Sequence, residues 1–370
     1  MKISAVDLFC GAGGLSYGLE QAGISVIKGI DHNPDCKYPY EQNINAEYVQ
    51  TKIEPLSSDP ERIARMFPWD SDLKVLTACA PCQPYSTMGH AKDKSHLDHH
   101  KWGLLRDVIQ IIDYVEPDVV VTENVLQIRE DSVYDDFITY LDKEGYHLND
   151  ESNRNVYCPE HGIPQNRKRW VVMASKRGEI SLPSPLYTNE SDYPTVRETI
   201  GHLPAIEAGD VHPDNELHRS QNLSDLNLER IRHMEPGGDW SLWKDSSLDH
   251  LLADCHKKAS GSSYKAPYSR MEADKIAPTI TTQFYNYGSG RFGHYDTDQN
   301  RALSLQEGAL LQTFPEGYDF YENWDDVGVS NMAKLIGNAV PPKLGERIGE
   351  GIVQHVDSAT SAKPVGVADD

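Results

Sequence analysis

Short apolar runs alternate, over the first 175 residues, with stretches whose apolar positions recur every three or four residues. Residues 3–9 are apolar enough for a buried strand. Cys10-Gly11-Ala12-Gly13-Gly14 then forms a turn, and Leu15, Leu19 and Ala22 keep helical spacing until Gly23 supplies a stop. Residues 24–30 predict a second strand ending at Asp31, residues 74–77 a short buried one, and residues 118–122 another that ends in Glu123-Asn124-Val125. Helices are predicted over 34–43, over 104–115 with Leu104, Leu105, Val108, Ile111 and Ile112 on one side, and over 133–141. Residues 146–157 read as extended and 170–174 as a strand, whereas the stretch up to Asp72 has no strong period. Four strand–helix alternations make a doubly wound, mostly parallel α/β sheet the economical architecture.

Beyond about Pro183 the pattern changes. Pro, Ser, His, Asn and Gly rise and apolar periodicity fades, which predicts a smaller, loop- and strand-rich second domain over 178–300. Within it Lys257, Lys258, Lys265, Arg270, Lys275 and Arg291 are interleaved with Tyr264, Tyr268, Phe284, Tyr285 and Tyr287, a mixture that suits nucleic acid and also occurs in loops that bind nothing. Helical spacing returns over 303–314 and 343–355, so residues 301–356 are expected to complete the domain begun by 1–177, with 357–370 a disordered tail.

The 370 residues include no apolar run long enough to span a bilayer, and an acid stands at Asp7 where a signal peptide would be apolar, so a cytoplasmic protein away from membranes is expected. Six scattered cysteines suit a reducing compartment. The formal charge of −22 argues, taken alone, against a polyanionic partner and suits a salt-rich cytoplasm; a local basic face can still hold phosphates. Arg154, Arg167, Lys168, Arg169, Lys176 and Arg177 give one corner that character. His96, His99 and His100 lie in a polar run read as a loop, without a second cluster at ligand spacing, so no metal is expected.

Candidate chemistry centres on Cys82, in Pro81-Cys82-Gln83, just past a strand end where open α/β sheets keep reactive groups. The thiol could be a nucleophile, a metal ligand or half of a Cys79-x-x-Cys82 redox pair; the glycine turn with Asp31 18 residues after Gly13 could serve a nicotinamide dehydrogenase. Six stretches in one order narrow the choice: Asp7-Leu8-Phe9-Cys10-Gly11-Ala12-Gly13-Gly14, Pro81-Cys82-Gln83, Glu123-Asn124-Val125, Gln165-Asn166-Arg167-Lys168-Arg169, Arg301-Ala302-Leu303 through Leu311-Gln312-Thr313-Phe314-Pro315, and Gly337-Asn338-Ala339-Val340-Pro341. Together, over residues 5 to about 350, the chain resembles the DNA (cytosine-5-)-methyltransferases.

The resemblance implies an S-adenosylmethionine-binding domain, a target-recognition domain over 178–300, and a cytosine flipped from duplex DNA into a cleft between them. It implies that Cys82 adds to carbon 6, that Glu123, carrying a proton near neutrality, stabilises the adduct at N3, and that Arg167 and Arg169 hold the cytosine carbonyl and nearby backbone. Phe9, Gly11, Gly13, Asp31, His32, Ile53, Pro81, Leu104 and Asn338 would bind the cofactor, and Gln83, Ser86, Asn124, Gln165 and Arg270 the substrate. Lys52 stands where many members carry an adenine-binding aspartate, so Glu54 or a backbone carbonyl substitutes, or affinity is lower. A monomer is expected, with a cognate restriction endonuclease as a partner in the same system. The same chemistry on RNA, and a DNA-binding protein with a silent site, remain as alternatives.

Overall fold

The computed structural model describes residues 1–81, 103–258 and 263–361, without the side chains of 358–361. Cys82, Gln83, Ser86, His96, His99 and His100 lie outside the described residues.

The chain divides into two units, one of residues 1–157, 168–185 and 340–370, the other of 158–167 and 186–339. Segments 158–167 and 301–339, expected with the first domain, are thus grouped with the second. The first unit holds seven strands: β1 (Ile3–Leu8), β2 (Ser25–Asp31), β3 (Glu47–Gln50), β4 (Leu73–Ala78), β5 (Val119–Asn124), β6 (Asn153–Tyr157) and β7 (Lys168–Ser175). They lie in the order β3-β2-β1-β4-β5-β7-β6, and β7 alone runs antiparallel to its neighbours. Winding reverses between β1 and β4, which pair from Ile3↔Leu73 to Leu8↔Ala78. The carboxyl ends of two adjacent strands therefore open where sheets of this class bind ligands.

Alternation along the strands sorts the two faces. Val6, Leu8, Leu76, Val120, Val172 and Ala174 pack with Leu105, Val108, Ile112, Val115, Phe137 and Leu141 of the helices Leu104–Val115 and Ser132–Lys143. The opposite face lies under the helix Pro342–Ser361, whose Gly351 approaches Met173 and whose His355 Nε2 is 2.8 Å from Ser175 Oγ. That helix packs on Gly14–Gln21 through glycine: a Cβ on Gly345 would lie 2.7 Å from Leu15 O. It runs past His355 into the stretch expected to be tail, because no breaker precedes Pro364. Among the described residues, no helix is long and apolar enough to cross a membrane.

The second unit has little sheet: Gln165–Asn166 pairs in parallel with Ala277–Pro278, and Val211–His212 with Asn215–Arg219 antiparallel. Buried charge organises it. Arg301 and Glu307, both 1% exposed, form a two-pronged pair of 2.7 and 2.8 Å, with His294 Nε2 3.4 Å from Glu307. Glu307 also closes a capping box with Ser304 at the start of helix Leu305–Leu311. Burial alone would raise the Glu307 carboxyl, but Arg301 and His294 overcome it and hold it well below the usual carboxylate range.

Candidate active site

The turn after β1 is built from left-handed backbone. Phe9 has φ 63°, Gly11 54° and Gly13 90°. The glycines adopt this freely, but Phe9 costs on the order of 1–3 kcal/mol, and such strain gathers at functional sites. Space beside the turn is open: a Cβ on Gly11 would meet no atom within 4 Å. Asp31, at the end of β2, steadies it by accepting from Gly11 N–H at 3.1 Å and from Asn33 N–H at 3.0 Å. His32 is exposed, with Nδ1 3.2 Å from Asp31 Oδ1. Ile53 and Leu104 are buried, Phe9 packs against the cluster that contains Ile53, and Lys52 is exposed. Pro81 is half-buried at the last described position before residue 82.

Beneath the turn lies an acid that pattern reading passed over. Asp7, 1% exposed, accepts from Ser16 Oγ at 2.7 Å and Thr77 Oγ1 at 2.5 Å, and Ser16 Oγ is 2.9 Å from Tyr40 Oη. The chain of hydroxyls joins the helix after the glycine turn to β4, which leads to Cys82. Register explains it: Asp7 stands opposite Thr77 on one side and Gly29 on the other, where the missing side chain admits the Tyr40 ring. Burial pushes the Asp7 carboxyl up from 3.8 to about 6 despite both hydroxyl donors. With the folded value above the unfolded one, Asp7 contributes stability that is present below pH 3.8 and lost as pH rises through about 6. Asp7→Asn is accordingly expected to raise the unfolding free energy at pH 8 by up to about 3 kcal/mol and to match the wild type below about pH 4, as urea melts at the two pH values would read.

The carboxyl end of β5 carries Glu123 and Asn124. Glu123 stands opposite Val171 in the β5–β7 ladder, so Arg169, two positions from Val171, shares its face. Arg169 Nε lies 2.9 Å from Glu123 Oε1, yet out of line, so this buried oxygen gains a charge partner and no directed hydrogen bond. Asn124 Nδ2 donates to Ala80 O at 3.0 Å and so fixes the backbone two residues before Cys82. Asn124 thereby holds the chain at Ala80, whatever it offers a substrate. Cys79 is half-buried, and its thiol is pushed well above its ordinary value by desolvation, then by Glu123 and Asp7. A thiol so held is a poor half of a redox pair.

Three further predicted residues stand in the second unit with their polar groups engaged there. Gln165, fully buried, donates to Leu311 O and Gln312 Oε1 at 2.8 and 2.7 Å and accepts from Ile280 N–H at 3.1 Å. Arg167, also buried, reaches Ile280 O at 3.4 Å and Ala339 O at 3.3 Å. Arg270, 1% exposed, donates to Ile231 O, His294 O, Asp296 O, Gln299 O and Asn300 Oδ1, so it clamps loops together and is not presented to a substrate. Asn338 ends the helix Trp324–Asn338, which is broken at Gly328 and which apolar spacing did not predict.

A glycine turn after β1, an acid closing β2 and polar groups at the ends of β4 and β5, on a sheet of this order, define a Rossmann-like methyltransferase fold. Solved structures share it: a putative DNA modification methyltransferase encoded within a prophage (E. coli) superposes with a TM-score of 0.69 at 18% identity, covering 96% of this chain and all of that one. The S. pombe Dnmt2 methyltransferase gives 0.57 at 20% identity, with 96% and 99% covered. The chain belongs to the C-5 cytosine-specific DNA methylases, whose family model matches residues 3–354. It is 42% identical over 357 residues to the Type II methylase M.HgiDII of Herpetosiphon aurantiacus, covering 96% of each chain, and 27% identical to the Type II methyltransferase M1.HphI of Haemophilus parahaemolyticus, covering 96% of this chain and 87% of that one. The protein is a DNA (cytosine-5-)-methyltransferase.

Proposed function

We propose that the enzyme transfers a methyl group from S-adenosylmethionine to carbon 5 of one cytosine within a specific duplex DNA sequence, through base flipping and a covalent adduct with Cys82. The observation that carries this reading is the Glu123 side chain, buried beside Arg169 with one oxygen lacking a directed donor among the described residues, on the strand whose Asn124 holds the backbone at Ala80, two residues before Cys82. The first unit is the catalytic one and the second reads the target.

The strained turn fits a cofactor. Open space beside Gly11 and the fixed Asp31 carboxylate would suit the methionine portion and the ribose, with Phe9, Gly13, His32, Ile53, Pro81 and Leu104 around them. When bound, the cofactor supplies a methyl group on a sulfonium. Cytosine carbon 5 is a poor nucleophile until the Cys82 thiolate bonds to carbon 6; the displaced π electrons then move toward N3, which takes a proton that Glu123 has drawn from water as the base enters. Arg169 donors stabilise the charge that gathers on the carbonyl side. Carbon 5 takes the methyl group, water removes its proton, and the carbon–sulfur bond breaks as the ring double bond returns, Cys82 leaving as thiolate and N3 giving its proton back to Glu123. Extruding the base costs a few kcal/mol of stacking, offset by contacts to backbone and sequence.

Because the relatives are named Type II methylases, methylation here protects DNA from a cognate endonuclease that cuts the same sequence. Labelled methyl transfer to mixed-sequence duplex DNA, followed by bisulfite sequencing, tests the reading. Label on cytosine in one short context supports it, and label on RNA alone overturns it.

A further inference from the structure

The basic corner noted in the sequence is mostly neutralised once folded. Arg154 pairs with Glu151 at 3.0 Å, Lys176 with Glu116 at 3.8 Å and Arg177 with Asp118 at 2.8 Å, while Arg167 is buried. Lys168 is exposed and lies over an aromatic ring, its Nζ 5.5 Å from the centre of Tyr157. A second exposed cation has the same mounting: Arg129 Cζ is 4.2 Å from the centre of the Trp170 ring. Among the described residues neither forms an ion pair. In a chain of net charge −22 that pairs most cations of this region, two unpaired ones on rings need a reason.

We propose that Arg129 and Lys168 hold phosphodiester groups of duplex DNA beside the target cytosine; this rests on the methyltransferase reading above and extends it. Placement supports the assignment. Arg129 follows the carboxyl end of β5 in the turn Leu126–Glu130, directly after Glu123-Asn124, and Lys168 opens β7 at that same edge of the sheet, on the face opposite Arg169 and Glu123. Both rings share one face: Tyr157 stands opposite Lys168, and Trp170 is two positions along β7, about 7 Å away by strand geometry. Trp170 is itself fixed, with Nε1 2.7 Å from both Tyr134 Oη and Asn153 Oδ1. Stacking restrains each long side chain while leaving its charged head toward water, so little rotamer freedom is lost on meeting a phosphate. A carboxylate partner would have restrained them equally and cancelled the charge.

The test is equilibrium binding of the full-length enzyme to a duplex carrying its methylated sequence and to a scrambled duplex, over about 50 to 200 mM salt. Arg129→Gln and Lys168→Gln are each expected to lower the slope of log affinity against log salt by about 0.9, with equal weakening on both duplexes. Arg129→Lys keeps the slope. Cofactor binding and melting temperature stay at wild-type values, and Arg62→Ala, an exposed cation on the short helix Glu61–Ala64, leaves the slope unchanged. An unchanged slope in both Gln variants overturns the proposal, as does weakening confined to the methylated sequence, an equal loss in Arg62→Ala, or a slope change seen on RNA and not on DNA. Methyl transfer by the wild type is read separately, so failure here leaves the catalytic reading standing.

Discussion

Cys82→Ser lowers methyl transfer by at least about 10⁴-fold, and Glu123→Gln by about 10² to 10⁴-fold, with DNA and cofactor affinity nearly unchanged in both. The order follows from what each group contributes. A serine hydroxyl at this position ionises far less readily than a thiol and offers too little alkoxide to add to carbon 6. Glutamine keeps the shape of Glu123 and can still donate a hydrogen bond, but it cannot deliver a proton to N3. It also leaves the Arg169 guanidinium, now 2.9 Å from Glu123, without its counter-charge. Loss of the pair is therefore expected to show as a lower melting temperature in Glu123→Gln and not in Cys82→Ser. Exchange of the carbon 5 hydrogen with solvent separates the steps, because it needs addition at carbon 6 and no methyl donor. It should vanish in Cys82→Ser and persist, slowed, in Glu123→Gln; undiminished methyl transfer in either variant would sink the mechanism.

Arg301→Met destabilises the second unit by about 3–5 kcal/mol at neutral pH, because it leaves Glu307 buried and uncompensated. His294 offers partial relief at 3.4 Å, and Ser304 remains as a cap partner. Glu307→Gln in the same chain removes the stranded charge and should recover part of the loss. The pH dependence has a definite sign. With its folded value held below 4.5, Glu307 in the wild type contributes stability that is present above pH 4.5 and lost as pH falls through the folded value. In Arg301→Met the deficit instead shrinks in acid, as the unpaired carboxyl takes up a proton. Trp240, Trp243 and Trp324 lie in the second unit, so the blue edge of tryptophan emission during urea unfolding reports on it.

Period and punctuation made the sheet legible. Long apolar runs such as 119–121, and helices with a clear stripe such as Leu104–Val115, stand where spacing placed them. Strand β3, only four residues with one buried, carried too little alternation to be seen. The helix Trp324–Asn338 escaped because Gly328 interrupts its period. Motif order pointed to Glu123, Asn124 and Arg169, but it could not say which arginines face outward. Arg270, expected to bind the substrate, and Arg301, which opens one of the matched stretches, are both turned inward by folding, onto carbonyls and a carboxylate. Asp7 had a signal that was there to use: an acid in a six-residue strand that is apolar but for Ser4, and buried at every position, demands partners.

The close seat of Gly345 on the first helix bears on the order of synthesis. The helix that carries the glycine turn is seated against the helix Pro342–Ser361, so close that a methyl group on Gly345 would press on the backbone at Leu15. A ribosome delivers these two partners far apart in translation. Until residue 345 has left the exit tunnel, the helix Gly14–Gln21 lacks its neighbour and its apolar side stays uncovered by it. The turn therefore gains that support only after residue 345 is made, and a chain stopped between Arg169 and Pro342 carries Glu123 and Arg169 without it.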